Sequence, residues 1–211
     1  MTGSKNKGER EKALETITPR SRKNPKRAIS RNLILENAER LMLEEGYAAV
    51  SSRRVAKEAG LKAPLVHYYF PTTDDLFVAV YRRAVERELE KQRDALETPT
   101  SLRGVWDAYC NQEQTALAME FMALANHRKT LRDEIVVLTE QIRRRRAEVL
   151  AKMIDIKDLD EEEFSAAGLS VLLIGVARTL VMEKGLGISL GHAEARRFVE
   201  RWLEELEKTS S

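Results

Sequence analysis

The sequence predicts an all-α fold of about nine helices, and three observations predict it. Proline and glycine are scarce, at 5 and 10 of 211 residues, while the good helix formers Ala, Leu, Glu, Arg and Lys dominate. Apolar residues recur every three or four positions through most of the chain, the period of a helix that buries one face. Between Ser51 and Phe70 the run SSRRVAKEAGLKAPLVHYYF reads as two short helices joined by a tight turn, the helix-turn-helix that sets its second helix against DNA.

Each part of that motif has a local reason. Ser51 suits the N-cap of the first short helix, where its hydroxyl accepts from a free backbone N–H. Ala56 is small where the second helix crosses it. Gly60 ends the helix because it takes the left-handed conformation without a Cβ penalty. Pro64 fits the first turn of the next helix, where its missing N–H costs nothing. Val55, Ala59, Leu61, Val66 and Tyr69 fall on inward faces, and Tyr69 and Phe70 are expected to pack rather than to touch a partner.

A first helix over 29–45 precedes the motif, with Ile34, Leu35, Ala38, Leu41 and Met42 in step and Gly46 as its stop. Residues 1–28 are basic and lack that periodicity, so a disordered arm is expected there. Its two readings are a solubilising tail and an arm lying against DNA phosphates or in a minor groove. After the motif, 73–96 forms a long helix with Asp74 and Asp75 at its positive end and Val78, Tyr81, Val85 and Leu89 as its stripe. Its outer face carries Arg82, Arg83, Glu86, Arg87, Glu88, Glu90, Lys91 and Arg93. A break at 97–101, capped by Thr100 or Ser101, leads to helices over 102–111, 113–126 and 130–154. The apolar run 164–182 and an amphipathic helix over 193–206 complete the chain. The domain division is therefore 1–28, 29–72 and 73–211.

Charge is uneven along the chain. Up to Pro71, 15 Lys and Arg stand against 8 Glu, a balance of +7 that leaves −5 for the remainder of a chain whose total is +2. A basic first third on a mildly acidic body fits a nucleic-acid-binding domain joined to one with another task. The run Arg143–Arg146 is spread around a helix and reads as a solvated face. Asp155, Asp158, Asp160 and Glu161–Glu163 lack the glycine and ligand rhythm of a calcium loop and read as an acidic helix start. Cys110 stands alone, which excludes an intramolecular disulfide and suits a reducing cytosol. No secretory h-region opens the chain and no apolar run is expected to span a bilayer, so the location read is cytoplasmic, with no membrane partner.

The residues Ile34-Leu35-Glu36-Asn37-Ala38, Glu45-Gly46-Tyr47, Ser51, Val55-Ala56, Ala59-Gly60-Leu61, Tyr69-Phe70 and Asp75-Leu76-Phe77 agree in register with one pattern. On them, residues 30–80 resemble the tetracycline-repressor (TetR/AcrR) family of transcriptional regulators. The resemblance implies an N-terminal three-helix helix-turn-helix DNA-binding domain and a C-terminal helical ligand-binding and dimerisation domain. It implies that 62–68 enters the major groove, with Lys62, Ala63, Pro64 and Leu65 nearest the bases or backbone and His67 and Tyr68 turned toward phosphates. Ser51, Ser52 and Arg53 would meet phosphates at the positive end of the preceding helix. The chain departs from the family in having Lys62 where Ser or Thr is usual, His67 for Tyr, and Thr73 for a phosphate-gripping Lys. The bland reading of His67 is a surface histidine without a role. Ala63, Pro64 and Leu65 offer few hydrogen bonds, so thymine methyls and DNA shape would carry more of the specificity.

In the body, Trp106, Tyr109, Met119, Met122, Asn126, His127 and Arg178 combine apolar bulk with a few polar groups, the makings of a small-molecule site. Family members commonly bind an inducer there and release DNA, and the 73–96 helix would be the lever. Arg178 stands out as a cation inside an apolar run that needs a partner; an internal salt bridge to Glu120 or Glu183 is the plainer account. The two C-terminal helices suit a four-helix bundle made with a second copy, through Phe164, Leu169, Leu172, Leu173, Val176, Leu180, Phe198 and Trp202. They could equally complete the core of one copy. A two-fold protein would match a palindromic operator.

No catalytic constellation is visible: His67, His127 and His192 are scattered, and no nucleophile elbow, phosphate loop or metal-ligand spacing occurs. No enzyme activity, metal or cofactor is expected. The function read is a ligand-responsive regulator, most simply a repressor, that binds double-stranded DNA as a homodimer and is released by a small apolar or amphipathic effector. The alternative is a helical protein-binding adaptor, which would leave the turn motif and the basic first third unexplained.

Overall fold

The computed structural model describes residues 25–97, 101–154 and 165–209. They form nine α-helices: α1 Pro25–Glu45, α2 Ser52–Glu58, α3 Ala63–Tyr69, α4 Thr73–Glu97, α5 Leu102–Tyr109, α6 Gln112–His127, α7 Lys129–Met153, α8 Ala166–Gly185 and α9 His192–Thr209. A one-turn 3-10 helix, Tyr47–Ala49, links α1 to α2. Most of the first 28 residues, and the acidic run at 155–163, lie outside the described residues. The expected start of α1 near Ile29 is corrected to Pro25, a residue whose fixed φ suits a first helical turn.

The breaks follow local chemistry. Ser51, Ser101, Asn111 and Ser165 each cap a helix by accepting from the backbone N–H three residues on, at 3.0–3.2 Å. The cap of α4 is Thr72, whose N–H and hydroxyl both donate to Asp75 while the Asp75 N–H donates back to the hydroxyl at 3.1 Å. After α2 the chain turns through a Schellman motif: Gly60 N–H donates to Lys57 at 3.2 Å and Leu61 N–H to Ala56 at 2.8 Å. Gly60 sits there at φ +65°.

Two apolar clusters hold the molecule. The first joins α1, α2 and α3 to α4, α6 and α7, and includes Ile34, Leu41, Val55, Val66, Phe70, Phe77, Phe121 and Leu131. The expected boundary at 72/73 therefore cuts through a single packed core. The second joins α5, the end of α7, α8 and α9 around Trp106, Leu150, Leu173 and Leu203. Polar ties cross the boundary as well. Tyr47 N–H donates to Glu120 of α6 at 2.7 Å, and Arg128 and Thr130 of α7 both hold Asp74 of α4.

Several sequence expectations are corrected by this packing. The buried face of α4 is Leu76, Phe77, Val80, Val85 and Gln92, one step round from the expected stripe. Glu88 is turned inward and not to solvent, and so is Arg146 of the arginine run, which bonds it at 2.9 Å. The helix α8 is long and apolar enough to cross a membrane by length and composition, against the expectation that no run reaches that length. It carries Arg178 within its span, and Leu169, Leu173, Ala177 and Leu180 pack into the second cluster.

A Cβ at residue 60 would meet nothing within 4 Å, so a substitution there tests the backbone alone. Gly60→Ala is expected to lower stability by about 1–2 kcal/mol in urea unfolding, and Gly60→Asn by less. Equal stability of Gly60→Ala and wild type would show that the turn does not depend on the left-handed conformation.

Candidate nucleic-acid interface and cavity

The surface presented by α2 and α3 is built by burying their other sides. Val55, Ala56 and Val66 anchor the two helices in the first cluster, which leaves Ser51, Arg53, Lys57, Lys62, Pro64, His67 and Tyr68 exposed. Ala63 and Leu65 are half-buried, and Thr73 is half-buried beside the Thr72 cap. Ser52 is the exception: its side chain is buried, only 8% exposed, so its hydroxyl cannot reach a phosphate and only its backbone lies at the helix start. Among the described residues none of the body hydrogen-bonds to the exposed side of α3.

Electrostatics sort the cations of this face. Arg54 is committed to Glu45 at 2.8 Å and Glu58 at 3.2 Å, and Arg40 also holds Glu58 at 3.0 Å. The hydrogen bond from Arg40, with that from Arg54, keeps the Glu58 carboxyl below its usual pKa. Among the described residues Arg53, Lys57 and Lys62 have no carboxylate partner. Two further cations come from α1: Arg27 donates to the Tyr68 hydroxyl at 2.5 Å and stacks over its ring, and Arg31 lies over Phe70. Sequence reasoning did not single out Lys57 or Arg31, while Arg27 fell within the basic arm over 1–28 that one reading lays against DNA. Of the first two only Lys57 had a signal, as the next cation on the exposed side of α2 after Arg53.

A cavity of about 110 Å³ lies in the body between α4, α5, α6, α7 and α8. Tyr81, Ala84, Val85 and Glu88 of α4, Tyr109 of α5, Gln114, Thr115, Leu117, Ala118 and Phe121 of α6, Thr139, Ile142 and Arg146 of α7, and Ile174 and Arg178 of α8 line it. The Tyr81 and Phe121 rings meet at 4.7 Å between centroids, and the Tyr81 hydroxyl bonds Thr139 at 2.8 Å. Burial pushes the Tyr81 and Tyr109 hydroxyls above their usual pKa, against the pull of Arg146 and, for Tyr81, of the Thr139 bond. Neutral phenols, not phenolates, therefore face the space.

Of the seven residues expected to contact a ligand, the structure brings Tyr109 and Arg178 to the cavity. Trp106 is fully buried in the second cluster. Met122, Asn126 and His127 are exposed and Met119 is half-buried on another side of α6. The cavity-facing positions of α6 are 114, 115, 117, 118 and 121; Met122 stands at the edge of that arc, its sulfur 4.0 Å from Arg178. Among the described residues Arg178 has no internal salt bridge: Glu120 serves Tyr47, and Glu183 bonds His192 at 2.7 Å. The dimerisation residues also divide. Leu169, Leu173 and Leu180 are buried in their own chain, Leu172 and Phe198 are exposed, Val176 and Trp202 are half-buried, and Phe164 lies outside the described residues.

The comparisons with known proteins agree with this architecture. The family model for bacterial regulatory proteins of the tetR family matches residues 34–80. The HTH-type transcriptional regulator PksA of Bacillus subtilis (strain 168) is 31% identical over 112 residues, 49% of this chain and 55% of that protein. The chain thus aligns with about half the length of its curated relative. A TetR transcription regulator from Haloarcula marismortui shares 20% identity at a TM-score of 0.64 over 85% of this chain and 98% of that one. A transcriptional regulator from Rhodococcus sp. Rha1 shares 17% at 0.65, over 86% and 97%. Salmonella enterica GusR shares 16% at 0.61, over 85% and 96%. At these identities the solved structures show a shared fold. The family model matches from within α1 into α4, and the fold is shared over most of the chain's length, so the chain resembles the tetR family of bacterial regulatory proteins in both its first helices and its architecture.

Proposed function

We propose that the protein is a homodimeric transcriptional repressor that binds a palindromic operator through α2 and α3 and leaves it when a small amphipathic effector fills the cavity. One observation carries the reading: α3 and its N-cap turn Lys62, Pro64, His67 and Tyr68 outward, beside Arg53 and Lys57, which have no carboxylate partner among the described residues. Lys62, Ala63, Pro64 and Leu65 are the residues to approach bases, and Arg53, His67 and Tyr68 the ones to hold phosphates. Ser51, Thr73 and the backbone start of α2 complete the set. The cytoplasm is the compartment such a partner implies.

Pairing is supported by apolar surface that a single chain leaves in water. Val171, Leu172 and Met182 of α8 and Phe198 of α9 are all more than 40% exposed, Leu172 reaching 58% and Phe198 67%. A second copy is the occupant a two-fold operator requires. Coupling between cavity and DNA is supported by two helices that touch both. The first turn of α4 borders the DNA-facing module while Tyr81 to Glu88 line the cavity. Meanwhile α6 lines the cavity with Leu117 and Phe121 and holds Tyr47 through Glu120.

Two measurements check this reading. In gel-shift titrations against a site selected from random DNA, Arg53→Ala and Lys57→Ala are each expected to flatten the slope of log affinity against log salt by about 1. An unchanged slope in both would remove the α2 surface from the interface. In sedimentation experiments, the double variant Leu172→Glu/Phe198→Glu is expected to be monomeric and to bind the full operator at least about 100-fold more weakly. A dimer that survives it would move the pairing surface elsewhere.

A further inference from the structure

We infer that the cavity takes a monoanion: a small carboxylate with an apolar or aromatic body, its head group held by Arg178 with Arg146 beside it. The inference deepens the effector half of the reading above and does not depend on DNA binding.

The argument begins with charge. Three charged side chains line the cavity, Glu88, Arg146 and Arg178. Glu88 is fully committed. Its Oε1 accepts from Arg146 Nη2 at 2.9 Å and from Gln92 Nε2 at 2.8 Å, and its Oε2 from Gln114 Nε2 at 3.1 Å. Arg146 and Glu88 neutralise each other, and one positive charge remains.

That charge sits on Arg178. Among the described residues no carboxylate lies within ion-pair distance of it, and its one hydrogen-bond contact is a 4.0 Å approach of Nη1 to the sulfur of Met122. Desolvation and the like charges of Arg146 and Arg143 act together to lower its pKa, and only Tyr81 opposes them. A guanidinium stays protonated inside proteins even so. The cavity wall therefore carries a half-buried cation that no carboxylate among the described residues compensates. The Nε of Arg146 is also buried without a partner. One planar anion meets both needs, because a carboxylate takes two N–H donors from a guanidinium in a fork.

The remaining wall sets the body of the ligand. The rings of Tyr81, Tyr109 (with Arg146 stacked on it) and Phe121 and the side chains of Leu117, Ile142 and Ile174 make this part of the wall largely apolar. The Tyr81 hydroxyl is already engaged with Thr139. Bulk on one side and a lone guanidinium on the other specify an amphipathic acid. A quaternary ammonium would instead add a second uncompensated charge.

The test uses the full-length protein with benzoate, phenylacetate, hexanoate and inorganic phosphate, each at matched ionic strength. The neutral amides of the three acids and choline serve as controls, and thermal shift and calorimetry are the readouts. At least one carboxylate is expected to raise the melting temperature while its amide and choline do not. Arg178→Gln should weaken that carboxylate about 10- to 100-fold, the range of a charged hydrogen bond, and Arg178→Lys should weaken it less. Without ligand, Arg178→Gln should melt no lower than wild type, because it removes a cation that nothing pairs. Amides that bind as well as acids, a response to phosphate in place of carboxylates, or a panel in which no anion stabilises wild type more than Arg178→Gln would each overturn the inference. Loss of DNA binding with carboxylate binding intact would instead sink the regulator reading and leave this one standing.

Discussion

Everything in this fold depends on α4 being gripped from two sides at once. Leu76, Phe77 and Val80 are fully buried or nearly so, in a cluster that also contains Ile34 and Phe70 of the DNA-facing module and Phe121 and Leu124 of α6. Burying one such side chain contributes about 1.5–3 kcal/mol, whereas an exposed ion pair contributes about 0–1 kcal/mol. The apolar cluster therefore holds the two parts together, and the pairs around it aim them. Asp74 with Arg128, Arg83 with Glu36 and Arg82 with Glu134 select one orientation among those the apolar contact would permit. A module seated this way has no loose hinge beneath it. Any displacement of α4 or α6 must shift α1 to α3 with it, because close-packed side chains transmit strain.

The ion pairs have a second consequence, in deciding which cations stay available. Near α2, Arg40 and Arg54 are both spent on Glu58, and Arg54 also on Glu45, so the positive face narrows to Arg53, Lys57 and Lys62. In the body the same subtraction isolates Arg178, because Glu88 is spent on Arg146. Both surfaces are defined less by how many basic residues they contain than by which acidic residues lie within reach.

Much of the fold was legible because its signals are local. Helix limits fell within a few residues of expectation wherever a cap or a left-handed glycine marks them, as at Ser51, Ser101, Gly46 and Gly60. The stop of α1 and the turn between α2 and α3 need no knowledge of the rest of the chain. The exposed residues of α3 were legible for the same reason: Val66 is buried and Tyr69 packs against the same cluster, which leaves Pro64, His67 and Tyr68 outside. The cavity was not. On α6, Leu117, Met119, Phe121, Met122 and Leu124 are all apolar, so periodicity does not say which side faces the space. Pairs such as Glu88 with Arg146 join positions 58 apart in sequence and look like ordinary surface charge until the helices meet. Ser52 misled differently, because a serine at a helix start is usually exposed and here it lies under the module.

The helix α8 shows why an apolar run with no preferred face was hard to interpret. Its residues divide among three surroundings. Leu169, Leu173, Ala177 and Leu180 fill the core of their own chain. Ile174 and Arg178, one turn apart, form cavity wall. Val171, Leu172, Gly175 and Met182 face outward. Three apolar demands around one cylinder cancel any moment, and the sequence then reads as uniformly buried. The same division places Arg178 between the core stripe and the outward one. A group that pulls on that guanidinium pulls on the helix whose adjoining strip is the exposed apolar face of Val171, Leu172 and Met182. Cavity wall and outward face are thus neighbouring strips of one rigid rod, and a rotation of α8 that improves contact at one necessarily alters the other.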